Sequence, residues 1–153
     1  MMEGIAVAKP FIKATLDILK TMAGLAATPG KPYVKKSHLA VGDVSAIVGV
    51  TGDKVGTIAV SFTKSCAIAL VKGMLGDDIH DLMQDVQDAV GEVANMVSGQ
   101  ARAALSENGI ALQGSTPTVI LGDGHIIRHI SSNPVVAIPF ATEYGEFTVE
   151  FCF

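Results

Sequence analysis

The N-terminal part of the chain has the hydrophobic spacing of an amphipathic helix. Between residues 3 and 23, apolar side chains recur at steps of three and four, at Ile5, Ala8, Ile12, Leu16 and Leu19. This spacing places them on one face of a helix. Pro10 lies inside the pattern, and a proline has no backbone N–H to donate. We therefore expect the helix to begin or to kink near Lys9.

The middle of the chain changes from strand to helix spacing. Two β-branched runs, at 44–50 and 55–62, flank a turn at 51–54, which predicts a β-hairpin. A helix is expected from a cap at Thr63 to a stop at Gly76. A longer helix is expected over residues 78–107. At 1.5 Å per residue it would be about 45 Å long.

The C-terminal third alternates short apolar runs with turn residues. Strands are predicted at 110–113, 118–121, 126–130, 135–140 and 147–153. A helix, two strands, two helices and then several strands at hairpin spacing predict an α+β fold. Its sheet would be mostly antiparallel and packed against the long helices. We expect residues 1–153 to form one domain.

Composition narrows the functional classes. Hydrophobic residues make up 49% of the 153 residues. The charged share of 17% lies below the usual figure of about 25%. Disordered chains show the opposite balance, so a folded domain is expected. A net charge of −4, no Trp and no basic stripe argue against nucleic acid as a partner.

High hydropathy raises the question of a membrane. The longest runs without charge are too short or too polar to span a bilayer, which takes about 20 apolar residues. Residues 1–3 have neither a basic leader nor an apolar signal core. We therefore expect a cytoplasmic protein with no membrane partner. The apolar excess also predicts that a second copy of the chain covers part of the surface.

The predicted long helix carries a polar ridge. At about 100° per residue, a set of side chains falls within about 60° of one another: Asp81, Asp88, Glu92, Asn95 and Gly99. The opposite arc is apolar and predicted to face the sheet: Val86, Val90, Val93 and Val97. Acidic residues on a solvated helix face are ordinary, so the ridge alone indicates little.

Three local departures from helix preference strengthen the functional interpretation. Asn95 is a poor helix former in mid-helix. Asp88 and Glu92 repel each other at a spacing of four. Gly91 and Gly99 each cost about 1 kcal/mol relative to alanine and allow another molecule to come close. Several such departures in one place are typical of a functional site.

The motif resembles the signature of the CheC/CheX/FliY family, which are phosphatases of the phosphorylated response regulator CheY. That pattern has Asp or Ser, three residues, Glu, two residues, Asn, and Pro roughly twenty residues later. Asp88, Glu92, Asn95 and Pro117 match it. The resemblance covers nearly the whole chain, and a single motif copy favours the CheX branch.

The resemblance implies a role for each residue. Asn95 would be catalytic and orient the attacking water, and Glu92 would pair with the active-site Lys of the regulator. Asp88 would support docking, while Gly99 and Pro117 would be structural. The partner would supply Mg²⁺, so this chain would bind no cofactor, and it would act as a homodimer. Alternatively, the fold docks a receiver or a chemotaxis scaffold without hydrolysis, or Asn95 bonds a neighbouring backbone group.

Other candidate residues point to no second activity. His125 and His129 are four apart, but they fall on a predicted strand and have no third ligand nearby, so no metal site is expected. Cys66 lies on an apolar helix, where a thiol is usually buried. With Cys152 it makes too few cysteines for a disulfide framework.

Overall fold

The computed structural model describes residues 2–129 and 131–153. Within them, three helices and eight strands follow in the order α1 Met2–Ala23, β1 Thr28–Pro29, β2 Tyr33–Lys35, β3 Val44–Gly52, β4 Gly56–Phe62, α2 Lys64–Leu75, α3 Leu82–Glu107, β5 Leu112–Gly114, β6 Thr118–Leu121, β7 Val135–Thr142 and β8 Gly145–Cys152.

The strands form one antiparallel sheet in the order β1-β7-β8-β4-β3-β5, with β2 also pairing with β7 and β6 with β3. All three helices pack on the same face of this sheet. The predicted α+β fold, a mostly antiparallel sheet against long helices, is confirmed. The hairpin of β3 and β4 is also confirmed, and Gly52, the last residue of β3, has a φ of 119°.

The core lies between the helices and the sheet. Strand β4 is buried along its whole length, and alternate side chains of the sheet turn toward the helices. Phe147 of β8 stacks between Phe62 and Phe140, with ring centroids 4.9 and 4.8 Å apart. Phe11 of α1 stacks on Phe151 at 4.7 Å, which fixes this helix on the sheet. The predicted apolar arc of α3 is buried here as well.

Helix α1 continues through Pro10. The predicted start near Lys9 is therefore wrong. Proline removes the hydrogen bond to the carbonyl of residue 6. Ala6 is exposed, so water can satisfy that carbonyl. Burial of the face that carries Phe11 then keeps the helix continuous on both sides of the proline.

Helix α3 begins at Leu82, four residues later than predicted. Asp81 is the N-cap, and its carboxylate accepts the backbone N–H of Gln84 at 3.3 Å. The acidic run before the helix offered several possible caps, and spacing alone did not choose among them. The C-terminal end is as predicted, with Asn108 as the cap and Gly109 at a φ of 86°.

The predicted strand at 126–130 is wrong over its described part. Residues 126–129 form no strand, and a single bridge joins Ile126 to Leu39; Ile130 lies outside the described residues. Alternate side chains still turn toward the sheet, since Ile127 is buried while His125 bonds Ser45 at 2.6 Å. The strand-like pattern therefore reflects packing against the face of the sheet.

Helices in the described ranges lack the length and hydropathy needed to cross a membrane.

A buried ionic cluster holds the segment of residues 126–129 to the face of the sheet opposite the helices. The Glu150 side chain is 1% exposed, and its two oxygens lie 2.9 Å from Lys35 Nζ and 2.7 Å from His129 Nε2. Burial acts to raise the pKa of Glu150. The hydrogen bonds from His129 and Lys35 outweigh it and hold that pKa below its ordinary value.

This cluster makes the stability of the fold depend on pH. Because the pKa of Glu150 is lower in the folded than in the unfolded state, the ionised carboxylate stabilises the fold above the unfolded-state pKa. That contribution is lost as pH falls through the folded-state pKa. At pH 7 we expect Glu150→Gln to lower the free energy of unfolding by about 3 kcal/mol, because it leaves Lys35 buried without its counter-charge.

Denaturant unfolding at pH 7 and at several acidic pH values measures both effects. Glu146→Gln is the matched control, because Glu146 is exposed in the same strand. The control is expected to unfold like the wild type. Equal unfolding free energies for Glu150→Gln and wild type at pH 7 would contradict the stabilising role of the cluster.

Candidate functional site

The polar side chains of α3 form one continuous outward surface. We call Asp88, Glu92, Asn95 and Gly99 the α3 ridge. The first three are exposed and Gly99 is half-buried. Since all four belong to one unbroken helix, their predicted alignment is realised by the backbone itself.

Two neighbouring elements flank the ridge. On one side, Gln100 of α3 donates from Nε2 to Asp17 Oδ2 of α1 at 3.0 Å. On the other, a Cβ built on Gly91 would lie 3.3 Å from Val119 of β6. The apolar arc beneath is buried in the core. The ridge is therefore held between α1 and β6 and faces solvent.

The ridge side chains differ in their hydrogen bonding. Gln84 Nε2 donates to Asp88 Oδ1 at 2.9 Å, which orients that carboxylate. Neither the Glu92 carboxylate nor the Asn95 amide bonds any residue of the described chain. In the described residues, Asn95 therefore does not form the alternative hydrogen bond to a neighbouring backbone group. Both groups are available to a second molecule.

Pro117 lies in the connection of residues 115–117 between β5 and β6. This connection is held to β3, because the Gly49 N–H donates to Ser115 Oγ and the Ser115 N–H donates to the Gly49 carbonyl, both at 2.8 Å. Pro117 is half-buried and directly precedes an edge strand, a position that proline tolerates.

Gly99 has no structural requirement for glycine. It is helical, and a Cβ built there would meet nothing closer than Arg102 Nη2 at 4.0 Å. By contrast, a Cβ on Gly73 of α2 would run into the backbone carbonyl of Ala23. The bare backbone at Gly99 therefore leaves room on the outer surface of the protein.

Arg102 is part of this surface and was missed from the sequence. Its Nε donates to the buried Ser98 Oγ at 3.0 Å, and its guanidinium lies over Gly114 of β5. The spacing of four residues between Ser98 and Arg102 could have predicted their contact, because such residues are neighbours on a helix face. The contact with Gly114 was not, because it joins elements that only the fold brings together.

The histidines of the sequence analysis have structural partners on the opposite face of the sheet. His125 Nδ1 donates to the Gly122 carbonyl at 2.6 Å, and His129 bonds Glu150. Over the described residues, no group of three or more His, Cys, Asp or Glu is placed to hold a metal. Cys66 is buried as expected, and burial raises the pKa of its thiol.

The ridge is exposed on the outer face of α3. Two grooves, of about 890 and 470 Å³, lie elsewhere on the surface, and no α3 residue lines either of them. A carboxylate and an uncharged amide about one turn apart can accept from a cation and orient a water. This arrangement suits a macromolecular partner that brings the reacting group with it.

Comparison with known proteins identifies the class. The family model described as chemotaxis phosphatase CheX matches residues 44–141, so this chain belongs to the CheX family. It is similar to a crystal structure of a chemotaxis protein CheX from Desulfovibrio desulfuricans. The two chains are 65% identical over 96% of this chain and 98% of that one, with a TM-score of 0.91.

Two further relatives are more distant. A Thermotoga maritima protein named CheY-P phosphatase CheX is 26% identical over 113 residues, 72% of each chain. A CheX from Borrelia burgdorferi, solved as a complex with CheY, BeF3 and Mg²⁺, is 22% identical. It covers 95% of this chain and 96% of its own, with a TM-score of 0.79.

The space at Gly99 predicts a stabilising substitution. We expect Gly99→Ala to raise the free energy of unfolding by about 1 kcal/mol, because alanine favours the helix and its methyl group meets no close neighbour. Gly73→Ala is the matched helical control and should lose about 1–3 kcal/mol, since the Ala23 backbone cannot give way. Thermal unfolding measures both. Loss of stability in Gly99→Ala would show that this glycine serves the fold.

Proposed function

We propose that this protein hydrolyses the aspartyl phosphate of a CheY-type receiver and so terminates a two-component signal. Membership of the CheX family supports this proposal, as does the Thermotoga relative's name. The observation that carries it is Asn95, an exposed amide without an internal hydrogen bond, one turn beyond Glu92 on an unbroken helix.

Asn95 is the residue that we propose acts on the water. Its carbonyl oxygen can accept a hydrogen bond from the attacking water and its NH₂ group can donate one, so one uncharged side chain can hold the water in line with the phosphorus. A carboxylate there would repel the phosphoryl oxygens. Hydrolysis of this kind depends on positioning and on stabilisation of charge, which a rigid helix supplies.

Glu92 aligns the two proteins in this proposal. Its exposed carboxylate would accept from the active-site Lys of the receiver, a charge-assisted contact. Asp88, oriented by Gln84, lies one turn earlier and would extend the docking surface. The receiver would bring the Mg²⁺ in its own pocket, so no cofactor is required of this chain. The composition of the Borrelia complex supports that division of labour.

A variant at Asn95 tests the reaction. We expect Asn95→Ala to lower kcat for dephosphorylation by about a hundredfold, the scale seen when a transition-state contact is removed, while the KM for the phosphorylated receiver changes little. Loss of phosphate from a labelled receiver gives both constants. Asn133→Ala, an exposed Asn far along the chain from α3, is the matched control.

The outcomes separate the two functional hypotheses. A wild type that binds the phosphorylated receiver but does not accelerate its decay would favour the non-catalytic docking module. If Asn95→Ala accelerates the decay as fast as the wild type, the protein is still a phosphatase, but Asn95 has no part in its mechanism.

We further propose that residues 1–153 form a single cytoplasmic domain that acts as a homodimer. Several large apolar side chains are 40% or more exposed away from the ridge, among them Val34 at 50%, Leu39 at 51% and Ile126 at 52%. Leu39 and Ile126 lie side by side across a β-bridge, and exposed apolar surface of this kind commonly marks a protein interface.

Sedimentation equilibrium at micromolar concentration tests the homodimer. The expected mass is twice the 15.8 kDa of one chain. Leu39→Asp is expected to shift the equilibrium toward monomer because it places a charge in the apolar surface. A monomeric wild type at this concentration would contradict the proposal.

A further inference from the structure

We propose that Arg102 recognises the receiver, by binding a carboxylate on the rim of its phosphorylation site. This inference rests on the proposed function and concerns a residue outside the recognised motif. It follows from how the guanidinium is held, from where its free donors lie, and from the order of charges along α3.

The guanidinium is held in place by two neighbours, Ser98 and Gly114. Its Nε donates to Ser98 Oγ at 3.0 Å, and Ser98 is fully buried, so the anchor does not move. Gly114 has no side chain, and the group occupies the space left free: a Cβ there would lie 2.8 Å from Cζ and Nη2. An arginine fixed in this way loses little conformational entropy on binding.

The Nη2 donor of Arg102 lies beside the C-terminal end of the α3 ridge. Helical side chains lean toward the N-terminus of their helix, and Nη2 accordingly lies 4.0 Å from the Cβ position of Gly99. Gly99 lies about 6 Å along the helix from Asn95. Neither Nη group bonds a partner in the described residues, so both can donate to another molecule.

The charge order along α3 gives this contact a direction. The acids Asp85, Asp88 and Glu92 precede Asn95, and Arg102 is the single base in the helix. If Glu92 meets a Lys of the receiver, Arg102 meets the surface on the far side of the phosphoryl group. A planar guanidinium pairs best with a carboxylate, through two parallel hydrogen bonds. Reversed docking would place like charges together, so the two contacts fix the orientation.

Steady-state kinetics distinguishes a role of Arg102 in binding the receiver from a role in catalysis. We expect Arg102→Met to raise the KM for the phosphorylated receiver about tenfold, the effect of about 1.4 kcal/mol of lost binding, with kcat within about twofold of wild type. The rise of KM with added salt should also be shallower than in wild type, because a charge contact is gone.

Arg102→Lys and Arg128→Met complete the design. Lysine keeps the charge but not the planar fork, so its KM should also rise, by a smaller factor. Arg128 is exposed in the segment on the opposite face of the sheet, and Arg128→Met makes the same change of net charge. Its KM should equal that of the wild type. If Arg102→Met fails to fold, Arg102→Lys decides the question.

Three results would overturn the inference. They are an unchanged KM in the folded Arg102 variants, an equal rise of KM in Arg128→Met, and a fall in kcat with KM unchanged. Failure of the proposed function looks different, because the wild type would then give no acceleration at all. A wild type that is active and an Asn95→Ala that is not, together with an unchanged KM in Arg102→Met, would reject Arg102 alone.

Discussion

Burial of the apolar arc of α3 against the sheet determines which face of this helix meets solvent. Val90, Val93 and Val97 are completely buried, so the helix cannot rotate about its axis without exposing them. Burying side chains of this size contributes about 1.5–3 kcal/mol each. The opposite arc must then face solvent, and it carries Glu92 and Asn95. The position of the proposed site is therefore a consequence of core packing, and the rigid helix fixes the spacing of its side chains.

An exposed helix surface with one amide and a few carboxylates has little chemistry of its own. In the proposed function it becomes a catalyst only with a partner that brings the phosphoryl group, the metal and a lysine, and the helix adds the geometry. Small residues serve the same end, since Gly99 leaves the backbone bare without any demand from the fold. The helix gives up some stability there, as functional surfaces commonly do.

The two faces of the sheet bury different kinds of side chain. One carries the apolar core and the helices, with stacked rings from Phe62 to Phe140. The other buries a carboxylate between Lys35 and His129, under a segment that has almost no regular structure. Burying charges costs more than burying apolar groups, so such a cluster contributes mainly to holding one arrangement of the segment. It lies on the side of the sheet away from α3, so the site does not depend on it for contacts.

The sequence by itself determined the features that rest on local spacing. The α+β order, the hairpin, the buried arc of α3 and the alignment of Asp88, Glu92 and Asn95 all follow from periods of two or about 3.6 residues. Tertiary structure decided what depends on distant partners. Packing of Phe11 carries α1 past Pro10, and residues 126–129 keep a strand's alternation without a neighbouring strand. Arg102 rests on Gly114, and Glu150 meets Lys35 from 115 positions away. No local pattern encodes such contacts, because they arise only when the folded sheet and helices bring distant side chains together.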